Sequence, residues 1–284
     1  MSWLRRFRRL AEPTSCANRL TIDAAVHTDV GRTREGNEDS VLFVRSEQPR
    51  LQASRGVLAI VADGMGGANT GEIASALACK TISETYFSAG GTPGEALDTA
   101  FQAANHRIFS LAKERPECQG MGTTAVTVAV VGDTAWLAHI GDSRIYLLRS
   151  SRIYQMSEDD SVVAQMVRDG LITSEQAHSH ENRNVLVRAL GTKIDVQLAS
   201  APAPFQCRPA DRFLLCSDGL HDLVTEEEML QVASFSTPGS AAERLIEMAN
   251  SRGGDDNISV VIIAINPPSS TTEPTAETHE VLVG

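Results

Sequence analysis

Apolar runs with little polar alternation recur along the chain: GVLAIVA at 56–62, the AVTVAVV of GTTAVTVAVV at 122–131, RFLLC at 212–216 and ISVVIIAI at 258–265. A strand with one wet face alternates apolar with polar residues, so unbroken runs of this length, bounded by turn residues, predict strands buried on both faces. Such strands need cover on each side. Gly132-Asp133, between GTTAVTVAVV and TAWLAHIGDSRIYLLR, is a two-residue hairpin signal. Elsewhere the period changes to that of a helix. Ile73, Leu77, Ile82 and Tyr86 within 71–87, and Leu97, Phe101, Ala104, Ile108 and Leu111 within 93–112, predict two helices that each bury one face. Helix starts are marked where Glu follows a hydroxyl residue by three positions, at Thr92, Thr225 and Ser240. Helices and antiparallel strands together predict an α+β fold of stacked sheets covered by helices.

The 284 residues suffice for one large domain with tails, and no internal repeat is evident. MSWLRRFRRL at the start carries Arg5, Arg6, Arg8 and Arg9 among apolar residues. It is too short and too interrupted for a signal peptide or a membrane span, so residues 1–19 are expected to be a basic, flexible segment open to weak contact with a membrane surface. Residues 267–284, rich in Pro, Ser and Thr, predict a disordered tail, which leaves 20–266 as the folded unit. Acidic residues outnumber basic ones 36 to 25, for a formal charge of −11, which argues against a nucleic-acid surface. Five cysteines without CxxC spacing indicate neither a disulfide framework nor a zinc site, and a reducing cytoplasm fits them best.

The apolar runs also share a chemical device. Asp63 follows the first, Asp142 follows LAHIG, Asp218 follows FLLCS, and Asp255 and Asp256 precede ISVV, while Glu38 and Asp39 lie four and five residues after Arg34. Any one of these is a turn former or a cap on its own. As a set they are costly, because carboxylates buried together without compensation cost several kcal/mol. Hard divalent cations are the natural compensators, and oxygen ligands without Cys or paired His select Mg²⁺ or Mn²⁺ over zinc or copper. A catalytic pair of such ions sits about 4 Å apart, bridged by a carboxylate and a water that becomes a nucleophile at neutral pH. Asp63 would be the bridge, with glycine letting the backbone, including the Gly64 carbonyl, approach. Arg34 can grip phosphate oxygens bidentately or pair with Glu38 or Asp39; both readings stand. His139 lies in an apolar run as a core histidine, and His178 and His180 lie in a polar segment.

Taken in order, GRTREGNEDS, VADGMGG, GMGTTAV, IGDSRIY, CSDGLHD and GGDDNISV resemble the metal-dependent protein serine/threonine phosphatases of type 2C, the PPM family. DGMGG and ENRNVLVRALGT are similar to its bacterial branch, and the likeness runs from about Ile22 to Ile265. The resemblance implies a four-layer αββα sandwich of two antiparallel sheets flanked by helices, with two core metals at one end. It implies that Asp63 bridges both ions, that the Gly64 carbonyl serves one, and that Asp218 and Asp256 serve the other. Glu38 and Asp39 would hold metal-bound waters, Arg34 would receive the substrate phosphate, and Asp142 with Asp218 would match a third, weaker ion. Thr123 and Thr124 would be structural. Two positions depart from the family pattern: Met65 stands where eukaryotic relatives place a histidine that can act as general acid, and Asp160 replaces a histidine at the start of the flap, 156–192.

The implied activity is hydrolysis of phosphoserine and phosphothreonine on proteins by a metal-activated water, opposing a bacterial Ser/Thr kinase. A catalytically weak phosphoprotein-binding scaffold of the same fold, and a hydrolase of small phosphate esters, are the competing readings. Loss of Asp63, Asp218 or Asp256 would have marked the scaffold, and all three are present.

Overall fold

The computed structural model describes residues 20–67, 70–196 and 204–268. The strands in these residues are β1 (Thr21–Asp29), β2 (Asp39–Arg45), β3 (Val57–Met65), β4 (Gly122–Thr123), β5 (Ala125–Val131), β6 (Thr134–Ile140), β7 (Arg144–Arg149), β8 (Arg152–Gln155), β9 (Phe205–Gln206), β10 (Arg212–Cys216) and β11 (Ile258–Asn266). They form two sheets, ordered β1-β11-β10-β7-β8 and β2-β3-β5-β6-β9, with β4 added to the end of β3. Every pairing is antiparallel. The helices are α1 (Pro49–Arg55), α2 (Thr70–Ser88), α3 (Pro93–Glu114), α4 (Val162–Arg168), α5 (Ser174–His178), α6 (Asp218–His221), α7 (Glu226–Phe235) and α8 (Pro238–Ser251).

The unbroken apolar runs are explained by three cores stacked in one domain. In β3, Leu58, Ile60 and Ala62 face α2 and α3, where they meet Ala78, Ile82, Leu97 and Phe101. Their neighbours Val57, Ala59 and Val61 face the other sheet and pack with Leu147, Phe213, Leu215 and Ile263. In β11, Val261, Ile263 and Ile265 fill this same gap, whereas Ile258, Val260 and Ile262 pack on Met229, Leu245 and Ile246 of α7 and α8. The layers are therefore helix, sheet, sheet, helix, and each fully buried Val, Leu or Ile adds about 1.5–3 kcal/mol of transfer free energy.

Several local expectations are refined. The Gly132-Asp133 hairpin forms, with Val131 opposite Thr134. Capping boxes form at Thr92 with Glu95 and at Thr225 with Glu228. The start expected at Ser240 lies three residues earlier: Thr237 caps α8 and Pro238 occupies the first turn, where its missing N–H costs nothing. In α2 the buried face is built from Ala74, Ala78, Ile82 and Tyr86, and Ile73 is 40% exposed. β3 does not stop at its carboxylate. It continues through Asp63 and Gly64 to Met65, which pair with Thr123 and Gly122 of β4. Asp63 thus falls in the same alternate row as Val57, Ala59 and Val61.

Antiparallel order puts the C-terminal ends of β3, β6 and β10 at the same end of the sandwich as the N-terminal ends of β2, β7 and β11. All of the singled-out acidic residues lie there. The segment expected as a flap carries α4 and α5, is closed on itself by a bridge from Ser161 to Leu186 and is joined to β4 by one from Leu190 to Thr123. No helix among the described residues is long and apolar enough to cross a membrane. The expectations for residues 1–19 and for the tail beyond Pro268 lie outside the described residues.

Candidate active site

A cavity of about 230 Å³ opens at this end of the sandwich, lined by Arg34, Glu38, Asp63, Gly64, Met65, Asp142, Asp218 and Asp256 among others. Six sequence motifs, the outermost 222 residues apart, thus meet around one space. Asp63 is set by its peptide: its N–H donates to Thr124 Oγ1 (2.9 Å), and its carbonyl accepts from the Thr124 N–H (2.9 Å) and from Thr123 Oγ1 (2.8 Å). The two threonines fix the ridge from which the carboxylate projects. Gly64 is required by packing, since an added Cβ would lie 2.0 Å from the Gly71 carbonyl oxygen at the start of α2.

Asp218 opens α6, and its Oδ1 is buried with no hydrogen-bond partner. Asp256 pairs with Arg34 (Nη2 to Oδ2, 2.7 Å) at the rim, where the two side chains are 50% and 32% exposed. Arg34 therefore meets Asp256, not the Glu38 or Asp39 named as its structural partners from sequence. Asp39 lies opposite Asp63 in the β2–β3 ladder but is buried behind the cavity, where its Oδ2 accepts from Ser217 Oγ (2.7 Å). Glu38 is half-buried, and its backbone N–H donates to Asn257 Oδ1 (2.8 Å). Asp142 follows Gly141 at the turn between β6 and β7, and its carbonyl stands 3.1 Å from His221 Nε2.

The electrostatics follow from the crowding. Burial, with Asp218 and Asp256 nearby, pushes Asp39 up to about 7 despite hydrogen bonds from Ser259 and Ser217. Burial and the charge of Asp218 push Asp142 up to about 7. Asp63 and Asp218 are likewise raised, first by burial and then by neighbouring carboxylates, and Glu38 is raised by burial. Of this group, Asp256 pairs with Arg34. Among the described residues no three acidic, His or Cys side chains are drawn into a ready-made ligating cluster. An unpartnered, buried Asp218 oxygen and an all-oxygen donor set nonetheless suit a hard divalent cation.

Sequence reasoning passed over the supports of this site. Asn257 knits the Arg34 loop to the start of β11, donating to the carbonyls of Val30 and Gly36 (both 2.9 Å) while accepting from Glu38. Ser217 accepts from the Ser259 N–H (3.0 Å) and donates to Asp39. The only sequence signal for these residues is adjacency to Asp256 and Asp218. His139 is buried, and its Nε2 accepts from the Glu158 N–H (3.1 Å). His178 and His180 lie in the flap, at and just after α5.

The protein phosphatase 2C family profile matches residues 34–251. The serine/threonine protein phosphatase PstP of Mycobacterium tuberculosis is 39% identical over 245 residues, which are 86% of this chain and 45% of that protein. This chain thus spans less than half the length of that relative. The serine/threonine phosphatase stp of Listeria innocua is 37% identical over 251 residues, covering 86% of this chain and 96% of that one. Among solved structures, the catalytic domain of PstP in complex with two manganese ions superposes with a TM-score of 0.76 at 36% identity, over 87% of this chain and 99% of that one. With the same sandwich and a profile that matches most of its length, this chain belongs to the protein phosphatase 2C family.

Proposed function

We propose that this chain is a protein serine/threonine phosphatase that hydrolyses phosphoserine and phosphothreonine esters with two Mn²⁺ or Mg²⁺ ions. The observation that carries the reading is the buried, unpartnered Asp218 oxygen in a cavity shared with Asp63, with an arginine at its rim. In this reading Asp63 would serve both ions, the Gly64 carbonyl would serve one, and Asp218 and Asp256 would serve the other. Asp142 with Asp218 would hold a third, weaker ion, and Glu38 and Asp39 would hold metal-bound waters. Bound there, divalent cations would supply an acidified water and Lewis acidity towards the phosphoryl oxygens.

The chain's own residues supply the rest. Arg34 exchanges Asp256 for the substrate phosphate, which its planar fork can bind through two oxygens. The new P–O bond forms as the ester P–O bond breaks, and the departing hydroxyl oxygen of the substrate takes up a proton. Met65 lines the cavity and has no proton to give, so the donor is another group. The catalytic unit in this reading is 20–266 with its flap at 156–192, acting in the cytoplasm on phosphoproteins made by an opposing Ser/Thr kinase. Among the described residues four cysteines are buried and unbridged, consistent with a reducing compartment.

The Arg34–Asp256 ion pair is the observation that favours the second reading, a catalytically weak phosphoprotein-binding scaffold, because it occupies one expected metal ligand. Hydrolysis of a phosphothreonine peptide with Mn²⁺, with Mg²⁺ and with chelator, beside Asp218→Asn, separates the two. Metal-dependent phosphate release that Asp218→Asn abolishes is expected; binding of the peptide without release would support the scaffold.

A further inference from the structure

Asp160 is an aspartate at the flap root whose polar groups are all engaged, and the proposed chemistry does not use it. It is 2% exposed. Its N–H donates to the Gly141 carbonyl (2.9 Å), and its Oδ2 accepts the Gly141 N–H (3.2 Å), so one residue holds both sides of Gly141. Its Oδ1 receives the Arg188 guanidinium through Nε (3.0 Å) and Nη2. Its carbonyl accepts the Val187 N–H (2.6 Å), next to the bridge from Ser161 to Leu186. Gly141 itself is tightly specified: its φ is +93°, and an added Cβ would lie 2.5 Å from the Thr124 side chain. Asp142 is the next residue, and Thr124 is the one that holds Asp63. The outgoing and returning strands of the flap therefore meet at a clamp on the peptide that carries Asp142.

We propose that Asp160, anchored by Arg188, is a positioning residue for the cation site at Asp142, coupling the seating of the flap root to metal binding there. The inference rests on the reading of Asp142 as a ligand. Carboxylates that orient ligands from behind typically carry 10–100-fold in metal affinity, about the scale expected here. Arg188 has a second purpose in this arrangement: without it Asp160 would be a buried, unpaired charge.

The test uses the full chain. D160A/R188M removes the clamp without stranding a charge, and D160N/R188Q keeps an acceptor for the Gly141 N–H beside a neutral partner. Two readouts are compared: Mn²⁺ titration by calorimetry, with Asp142→Ala identifying the step that belongs to Asp142, and hydrogen exchange of the Gly141 amide in metal-free protein. D160A/R188M should weaken the Asp142-dependent step by about 10–100-fold and speed Gly141 exchange, while D160N/R188Q stays close to the unaltered chain. Asp211→Ala, which weakens the fold far from the site, should leave that step in place. Should D160A/R188M fail to fold, Arg188→Lys carries the test, with a several-fold weakening of the same step expected. An unchanged Asp142-dependent step in a folded clamp variant overturns the proposal, as does equal damage in D160N/R188Q. Absence of any Mn²⁺ uptake by the unaltered chain would overturn the metal reading itself, a different result from uptake that the clamp variants leave untouched.

Discussion

The two ends of the sandwich treat buried charge in opposite ways. At the end remote from the cavity, β7 finishes at Arg149 and β10 begins just after Asp211, and the pair is 9% and 2% exposed. Arg149 donates to both oxygens of Asp211 (2.7 and 2.5 Å) and to the Gln206 carbonyl (3.0 Å), and the Arg208 N–H completes the shell (2.6 Å). At the cavity end the same strands lead into Asp142 and Asp218, and the arginine at the rim, Arg34, is half exposed and pairs with Asp256. One end closes its charges internally and so serves the fold. The other leaves carboxylates raised by burial and by one another, which stores a demand that a bound cation would meet.

The difference breaks down most sharply under substitution. Asp63→Asn is expected to cost several orders of magnitude in phosphopeptide hydrolysis, since it removes the proposed bridging ligand. It should leave the melting temperature of metal-free protein unchanged or higher, because a repelling charge is gone; a large fall in stability would place Asp63 with the structural charges instead. Asp211→Ala should do the reverse. Stranding Arg149 in a buried site costs about 3–5 kcal/mol, read by urea unfolding, with hydrolysis per folded molecule unchanged.

Arg34→Ala should lower kcat/KM for the phosphopeptide by about 10²-fold, on the scale of losing one charge-stabilising donor. Its ion pair with Asp256 is substantially exposed, so stability should move by less than about 1 kcal/mol. The smallest effect is a pH slope. Asp39 and Asp142 are raised to about 7 from an ordinary value of 3.8, so the folded state binds protons that the unfolded chain has released. Their contribution is complete at pH below the unfolded value and lost as pH rises through the folded one. Metal-free protein should therefore melt at higher temperature as pH falls from 8 to 6.5, and Mn²⁺ should flatten the slope. Below that, His139, lowered by burial from 6.5, works in the opposite direction.

Much of this was legible in the chain. Carboxylates beside apolar runs marked the cavity end, because strands buried on both faces leave few reasons for an acidic residue at their margins. The Thr92 and Thr225 boxes were local chemistry and formed locally. The misplaced α8 start shows the limit of that signal: Ser240 and Glu243 match the pattern, but Pro238 favours an earlier first turn. The face of α2 escaped because small alanines, not Ile73, were needed where it packs on β3. Neither the seclusion of Asp39 behind Ser217 nor the Asp160–Arg188 clamp could be read, since each joins residues brought together only by the finished sheets.

The continuation of β3 through Asp63 has a consequence for engineering the molecule. The carboxylate stands in a row whose earlier members, Val57, Ala59 and Val61, are simply core. Parity along the strand thus decides whether a residue is oil or chemistry. A single-residue insertion between Val57 and Asp63 would preserve the apolar composition yet turn the carboxylate towards α2, whereas a two-residue insertion would restore its side while lengthening the strand. Chimeras that splice β3 from a relative must therefore match the count of residues before the aspartate, and loops elsewhere are under no such arithmetic.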